Sequence, residues 1–158
     1  NNVINSINDQ LSAQLLISNK LGKGCYNTIT DPERKLLCDA LIKVTKNPAN
    51  AIDDVSSAFE SFLRRIGYSN QVNLEKSNGI DEIGQVLGSK DNQIILNEHK
   101  KMCSFIGTFR NPAIHKVDKT SLNHWKIEAD SAIEIILLIL TCMRSIHVYV
   151  SEGKKLII

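Results

Sequence analysis

Between Asn50 and Ile66 the apolar residues Ile52, Val55, Phe59, Phe62 and Ile66 recur at intervals of three and four. That is the period of an α-helix, and it gathers the large side chains on one inward stripe. No stretch of the chain alternates apolar and polar residues as a half-buried strand would. Glycine (8) and proline (3) are scarce in 158 residues, and aliphatic residues carry most of a 42% hydrophobic fraction. An aliphatic chain with few helix breakers is expected to be all-α. We expect an up-and-down helical bundle of four to six helices with short connections, about one domain in size.

The flanking segments read in the same way. Val3, Ile7, Leu11 and Leu15 outline an amphipathic helix over residues 3–18, which Gly22 and Gly24 of "GKGCYN" are expected to break. Thr30 and Glu33 have capping-box spacing, and Pro32 suits a first helical turn. Leu36, Leu37, Ala40, Leu41 and Val44 carry that helix to "KNPAN". Gly67 is placed to cap the helix that ends near Ile66. Residues 67–79 read as a polar loop, and 80–88 as a short helix. Asp91 is expected to open a long helix with Ile95, Met102, Ile106 and Phe109 on one face. Asn111 precedes Pro112, and a residue before proline avoids helical dihedrals, so that helix should stop there. A last helix is expected from about Leu122 to Val150.

Composition excludes several classes. A net charge of +2 gives no polyelectrolyte signal, so tight sequence-blind binding to long DNA is not expected. Cys25, Cys38, Cys103 and Cys142 form no C-x-x-C pair and no zinc-spaced cluster with histidine. Reduced cysteines in apolar helical runs suggest a cytoplasmic protein. The most apolar run, residues 132–143, is too short to span a bilayer and contains Glu134, so no membrane partner is expected. No Gly-rich phosphate loop, G-x-S-x-G elbow or H-E-x-x-H motif is present. No cofactor and no metal are implied. The chain opens Asn1-Asn2-Val3 without an initiator methionine, which reads as a fragment, the C-terminal part of a longer protein.

The segment "FRNPAIHK", residues 109–116, carries the chemistry. Arg110 falls about 60° from the Ile95–Met102–Ile106 stripe, on the edge of the buried seam. His115 follows after one proline-stiffened turn, a spacing that allows both side chains to share a cleft. The plain reading is a helix terminus: arginine offsets the macrodipole, Asn-Pro stops the helix, and the histidine is idle. The chemical reading is RNA cleavage at its own 2′-hydroxyl. That reaction needs a base, a proton donor for the departing 5′-oxygen, and positive charge beside the phosphorane. Histidine serves either proton role, with a pKa near about 6.5. Arginine stays charged and offers a planar fork of donors. One histidine per chain cannot easily be base and acid together, and a two-fold dimer would supply two.

The pattern R-N-x-x-x-H, ahead of a last apolar helix, resembles the signature of HEPN domains. The stretch "NPANAIDDVSSAFESFLRRIGY" resembles the second motif region of the abortive-infection C-terminal group of that superfamily. The resemblance covers roughly residues 48–150. It implies a helical bundle over 31–158, with an N-terminal helix and linker, 1–30, packed on it or extending it. It further implies a homodimeric, metal-independent endoribonuclease acting as a toxin or as an effector in phage defence. A composite active site, an N-terminal sensor domain and a cognate antitoxin belong to the same expectation. By position, Arg110 matches the motif arginine, Asn111 its polar neighbour and His115 the motif histidine, and Glu60 matches the acidic position of the upstream helix. These imply phosphate stabilisation by Arg110, orientation of the phosphate by Asn111, proton transfer by His115 and support from Glu60. The chain departs from the pattern at Lys116, where the group often has glycine, and at Val117, where some members carry a modifiable tyrosine.

Lys116 and Lys119 flank the motif and are candidate RNA contacts, as are Arg64 and Arg65, although basic residues at helix ends are equally ordinary surface chemistry. Trp125 is more simply an anchor for the last helix than a base-stacking platform. His99 and His147 lie on inward faces and suggest no chemistry. The rival expectation is a non-catalytic helical module that binds RNA or a partner and mediates dimerisation, with Arg110 and His115 as a structural pair.

Overall fold

The computed structural model describes residues 9–115 and 127–153, with the backbone alone over 110–115. The chain is an all-α helical bundle, and among the described residues there is no strand. Six helices follow in order: α1 (Gln10–Thr28), α2 (Asp31–Lys43), α3 (Pro48–Ser69), α4 (Gly79–Leu87), α5 (Asn97–His115) and α6 (Ala129–Glu152).

Helix α3 is the axis of the bundle and packs against α2, α4, α5 and α6. Its stripe is the one visible in the sequence, for Ile52, Val55, Phe59, Phe62, Leu63 and Ile66 are all fully buried. It runs beyond the expected end at Gly67 to Ser69, with Asn70 as its C-cap. Gly67 is therefore not a cap. A Cβ there would come within 2.4 Å of Leu74 Cδ1, so the residue is glycine because the 70–78 segment folds back onto α3 at this point.

The α2–α3 pair is antiparallel, tied at one end by Arg65 to Glu33 and at the other by Lys43 to Asp54. Helix α2 begins as its sequence implies. The Glu33 amide donates to Thr30 Oγ1 at 3.3 Å, and the Thr30 amide donates to Glu33 Oε2 at 2.7 Å.

The break expected at "GKGCYN" is present: Gly22 has φ 76° and ψ 155°, a kink that only glycine adopts without strain, and a second helical stretch carries α1 past it to Thr28. Burial on α6 explains the continuation: Ala13, Ile17, Leu21 and Cys25 face the core on both sides of the kink. The expected stripe is the wrong one, since Leu11 and Leu15 are 66% and 57% exposed. Val3 and Ile7 lie outside the described residues. Helix α5 starts at Asn97 rather than Asp91, because Ile94 and Ile95 are buried in non-helical backbone whose amides bond to the Leu87 carbonyl. At its other end α5 passes through Pro112 to His115.

The last helix starts at Ala129 rather than near Leu122, since Glu128 stands before it in extended backbone as the N-cap. Its 24 residues are long and apolar enough to cross a membrane by length and composition, yet half of its most apolar 18-residue stretch is buried inside the bundle, where the helix packs against α1, α3 and α5. All four cysteines are free and buried. Burial pushes the thiols of Cys25 and Cys142 up to about 12, so they act as small apolar side chains.

Candidate functional site at the end of helix α5

Helix α5 is placed by contacts on three sides. Toward the core it buries His99, Cys103 and Ile106. Toward α4 it runs antiparallel: a Cβ on Gly84 would meet Cys103, one on Gly88 would meet Lys100, and one on Gly107 would meet Asp81. Small residues thus let α4 lie close along α5. Toward α6 the pair is again antiparallel, with His99 beside Ser145 and Phe109 sharing a groove with Ser131 and Glu134.

These contacts account for the continuation through Pro112. Proline removes the donor that would reach the Thr108 carbonyl, and the residue before it prefers extended dihedrals. That is one bond and one local preference, set against a helix already anchored by Cys103, Ile106 and Phe109.

A continuous helix changes the geometry expected of the motif. Five residues at 100° each place positions 110 and 115 about 140° apart around the axis and about 7.5 Å apart along it. Positions 110 and 115 therefore fall on different faces of α5, and the expectation that their side chains share a cleft lies outside the described residues. Asn111 and His115, four apart, do share a face, and they continue the line of Ser104 on the side toward α4. Position 110 instead continues the buried line of His99, Cys103 and Ile106.

The helices packed on α5 carry polar networks that the sequence disclosed only in part. Glu60 on α3 accepts from Arg64 Nη2 at 3.2 Å. Arg64 also donates to the Leu74 carbonyl at 3.2 Å and the Ser77 carbonyl at 2.9 Å, clasping the 70–78 segment that leads into α4. Arg65 is bound to Glu33. Both arginines named as candidate RNA contacts thus serve the scaffold. On α4, Asp81 accepts hydrogen bonds from Ser104 Oγ and from Gln85 Nε2, and Gln85 also donates to Ser104 Oγ at 3.0 Å. This clasp fixes the face of α5 that leads to Asn111 and His115. Its trace in the sequence is faint: a serine and a glycine one turn apart, facing a short helix with an acidic first turn.

On the α6 side Phe105 and Phe109 meet edge to face, with centroids 4.6 Å apart at 89°. With Ile135, Leu138, Ser131 and Glu134 they line a groove of about 320 Å³. Lys116, Lys119 and Trp125 lie outside the described residues. Among the described residues no group of three His, Cys, Asp or Glu could hold a metal ion. No protein family, curated protein or solved structure matches this chain.

Proposed function

We propose that this chain is a metal-independent endoribonuclease of the HEPN type, a cytoplasmic toxin or abortive-infection effector in phage defence. The observation that supports it is the sequence Arg110-Asn111-x3-His115 on the last turns of a helix packed against α3, the helix that carries Glu60. In this reading His115 takes the proton from the ribose 2′-hydroxyl. The 2′-oxygen bonds to phosphorus, the P–O5′ bond breaks, and a second imidazole returns a proton to the 5′-oxygen. Arg110 stabilises the phosphorane oxygens, and Asn111 orients the phosphate. Lys116 and Lys119 would add backbone contacts to the RNA, and Glu60 supports the arginine side of the site.

The second imidazole comes from a second copy. Because Arg110 and His115 start on different faces of one helix, a two-fold pair is also the simplest way to bring both groups to one scissile phosphate. An N-terminal sensor domain or a cognate antitoxin would then restrain the activity. Incubating the purified protein with total RNA in EDTA tests this reading. It requires fragments ending in 2′,3′-cyclic phosphate and 5′-hydroxyl, whereas 3′-hydroxyl ends would reject it.

One observation favours a second reading. Position 110 continues a buried line of α5, the placement of an arginine that braces the bundle. On that reading the chain is a non-catalytic module for RNA or partner binding and dimerisation. Stability separates the two: Arg110→Ala lowers it substantially only if the arginine is a brace.

A further inference from the structure

We propose that His99 is a pH-sensitive latch joining the first turn of α5 to α6, closed when the imidazole is neutral and released when it takes up a proton. The latch stands at the far end of α5, about 16 Å along the helix from Arg110, and does not rest on the nuclease reading.

The hydrogen bonds assign the tautomer. The Leu96 amide donates to His99 Nδ1 at 3.2 Å, so Nδ1 carries a lone pair. The ring proton is then on Nε2, which donates to Ser145 Oγ on α6 at 2.8 Å. His99 is 2% exposed, and its ring meets Tyr149 of α6 edge to face at 6.0 Å. Leu96 immediately precedes α5 and His99 is its third residue, so the imidazole does the work of the glutamate in a capping box. This arrangement also excludes Ser145 as an activated nucleophile, since the histidine gives it a proton rather than taking one.

A second proton can enter only at Nδ1. It would turn the acceptor into a donor facing another donor and free the Leu96 amide. It would also put a cation in the first turn of a helix, where the macrodipole opposes it. The charged and titratable groups around the ring do little to offset this. Glu98 on α5 favours the cation, but burial outweighs it and holds the pKa below the usual histidine value. On α6, Arg144 and Glu152, of opposite charge, line a groove with Leu96 and His99, beside Tyr149. His147, on the side of α6 that meets Gly24 of α1, is also held down by burial.

Hydrogen exchange on the full chain at pH 7.5 and 5.0 tests the latch, with α2 in the same sample as the internal standard. Exchange over 96–103 relative to 31–43 should rise about tenfold or more on acidification. His99→Gln, which keeps a capping acceptor but cannot titrate, should abolish that rise, and His147→Gln should leave it. A constant ratio in the wild type, or an undiminished rise in His99→Gln, overturns the proposal. If that variant fails to fold, an NMR titration of the wild-type imidazoles decides. His99 must titrate below about 6.5 together with the Leu96 amide, and titration at or above that value overturns the latch.

Discussion

Arg65 grips the buried Glu33 carboxylate with two nitrogens, Nε to Oε1 at 2.9 Å and Nη2 to Oε2 at 2.8 Å. Glu33 is 1% exposed, and its carboxylate also accepts from the Thr30 amide and from Ser61 Oγ. One side chain thus caps α2 and binds it to α3. Removing one partner of such a pair leaves a buried charge uncompensated, so Arg65→Ala should cost about 3–5 kcal/mol in urea unfolding. The double change Glu33→Met with Arg65→Met should cost clearly less than the two single losses added together, because no charge is left behind.

The close approach of α4 to α5 predicts a steric effect. A Cβ on Gly84 would lie 2.6 Å from Cys103 Cβ, an atom that cannot move without its helix. Gly84→Ala should destabilise by about 1–3 kcal/mol and shift the amide resonances of α5. Gly79 meets nothing within 4 Å, so a new Cβ there displaces nothing, and its φ of 86° makes any cost a backbone cost alone.

On α1 the two leucine positions and the isoleucine should separate cleanly. Leu11→Ser and Leu15→Ser should each change stability by less than about 0.5 kcal/mol, since both side chains already face water. Ile17→Ala, at a fully buried position, should cost about 2–5 kcal/mol. Thermal and urea unfolding of the three variants is the check.

Acid should weaken the fold through its histidines. His99 and His147 are both held below the ordinary value of 6.5, chiefly by burial. Between that value and their folded pKa the unfolded chain binds more protons than the folded one. Their stabilisation is therefore complete above about pH 6.5 and lost as the pH falls toward the folded values. Tm measured from pH 7.5 to 5.0 should fall, and His99→Gln together with His147→Gln should flatten the curve.

The elements legible in the sequence were those whose signals are local. The α3 stripe and the Thr30–Glu33 box stand as their spacing implies, because helical period and capping act within a few residues. The differences lie where tertiary packing overrides a local signal: the buried stripe of α1 is Ala13, Ile17, Leu21 and Cys25 rather than Leu11 and Leu15, Ile94 and Ile95 delay the start of α5, Gly67 admits Leu74, and Pro112 lies inside α5. The same holds for the candidate site. Arg110, Asn111 and His115 are visible as a motif, but their division between two helix faces follows only from the continuation of α5. The clasp of Asp81 and Ser104 joins residues 23 apart and leaves no pattern along the chain.

Cleavage of RNA by the wild type, Arg110→Ala and His115→Ala in EDTA, with helicity followed by circular dichroism, tests the central claim most directly. The account predicts that the wild type cuts and that His115→Ala keeps its helicity while losing cleavage. Cutting that survives both substitutions, or that EDTA alone abolishes in the wild type, would contradict it.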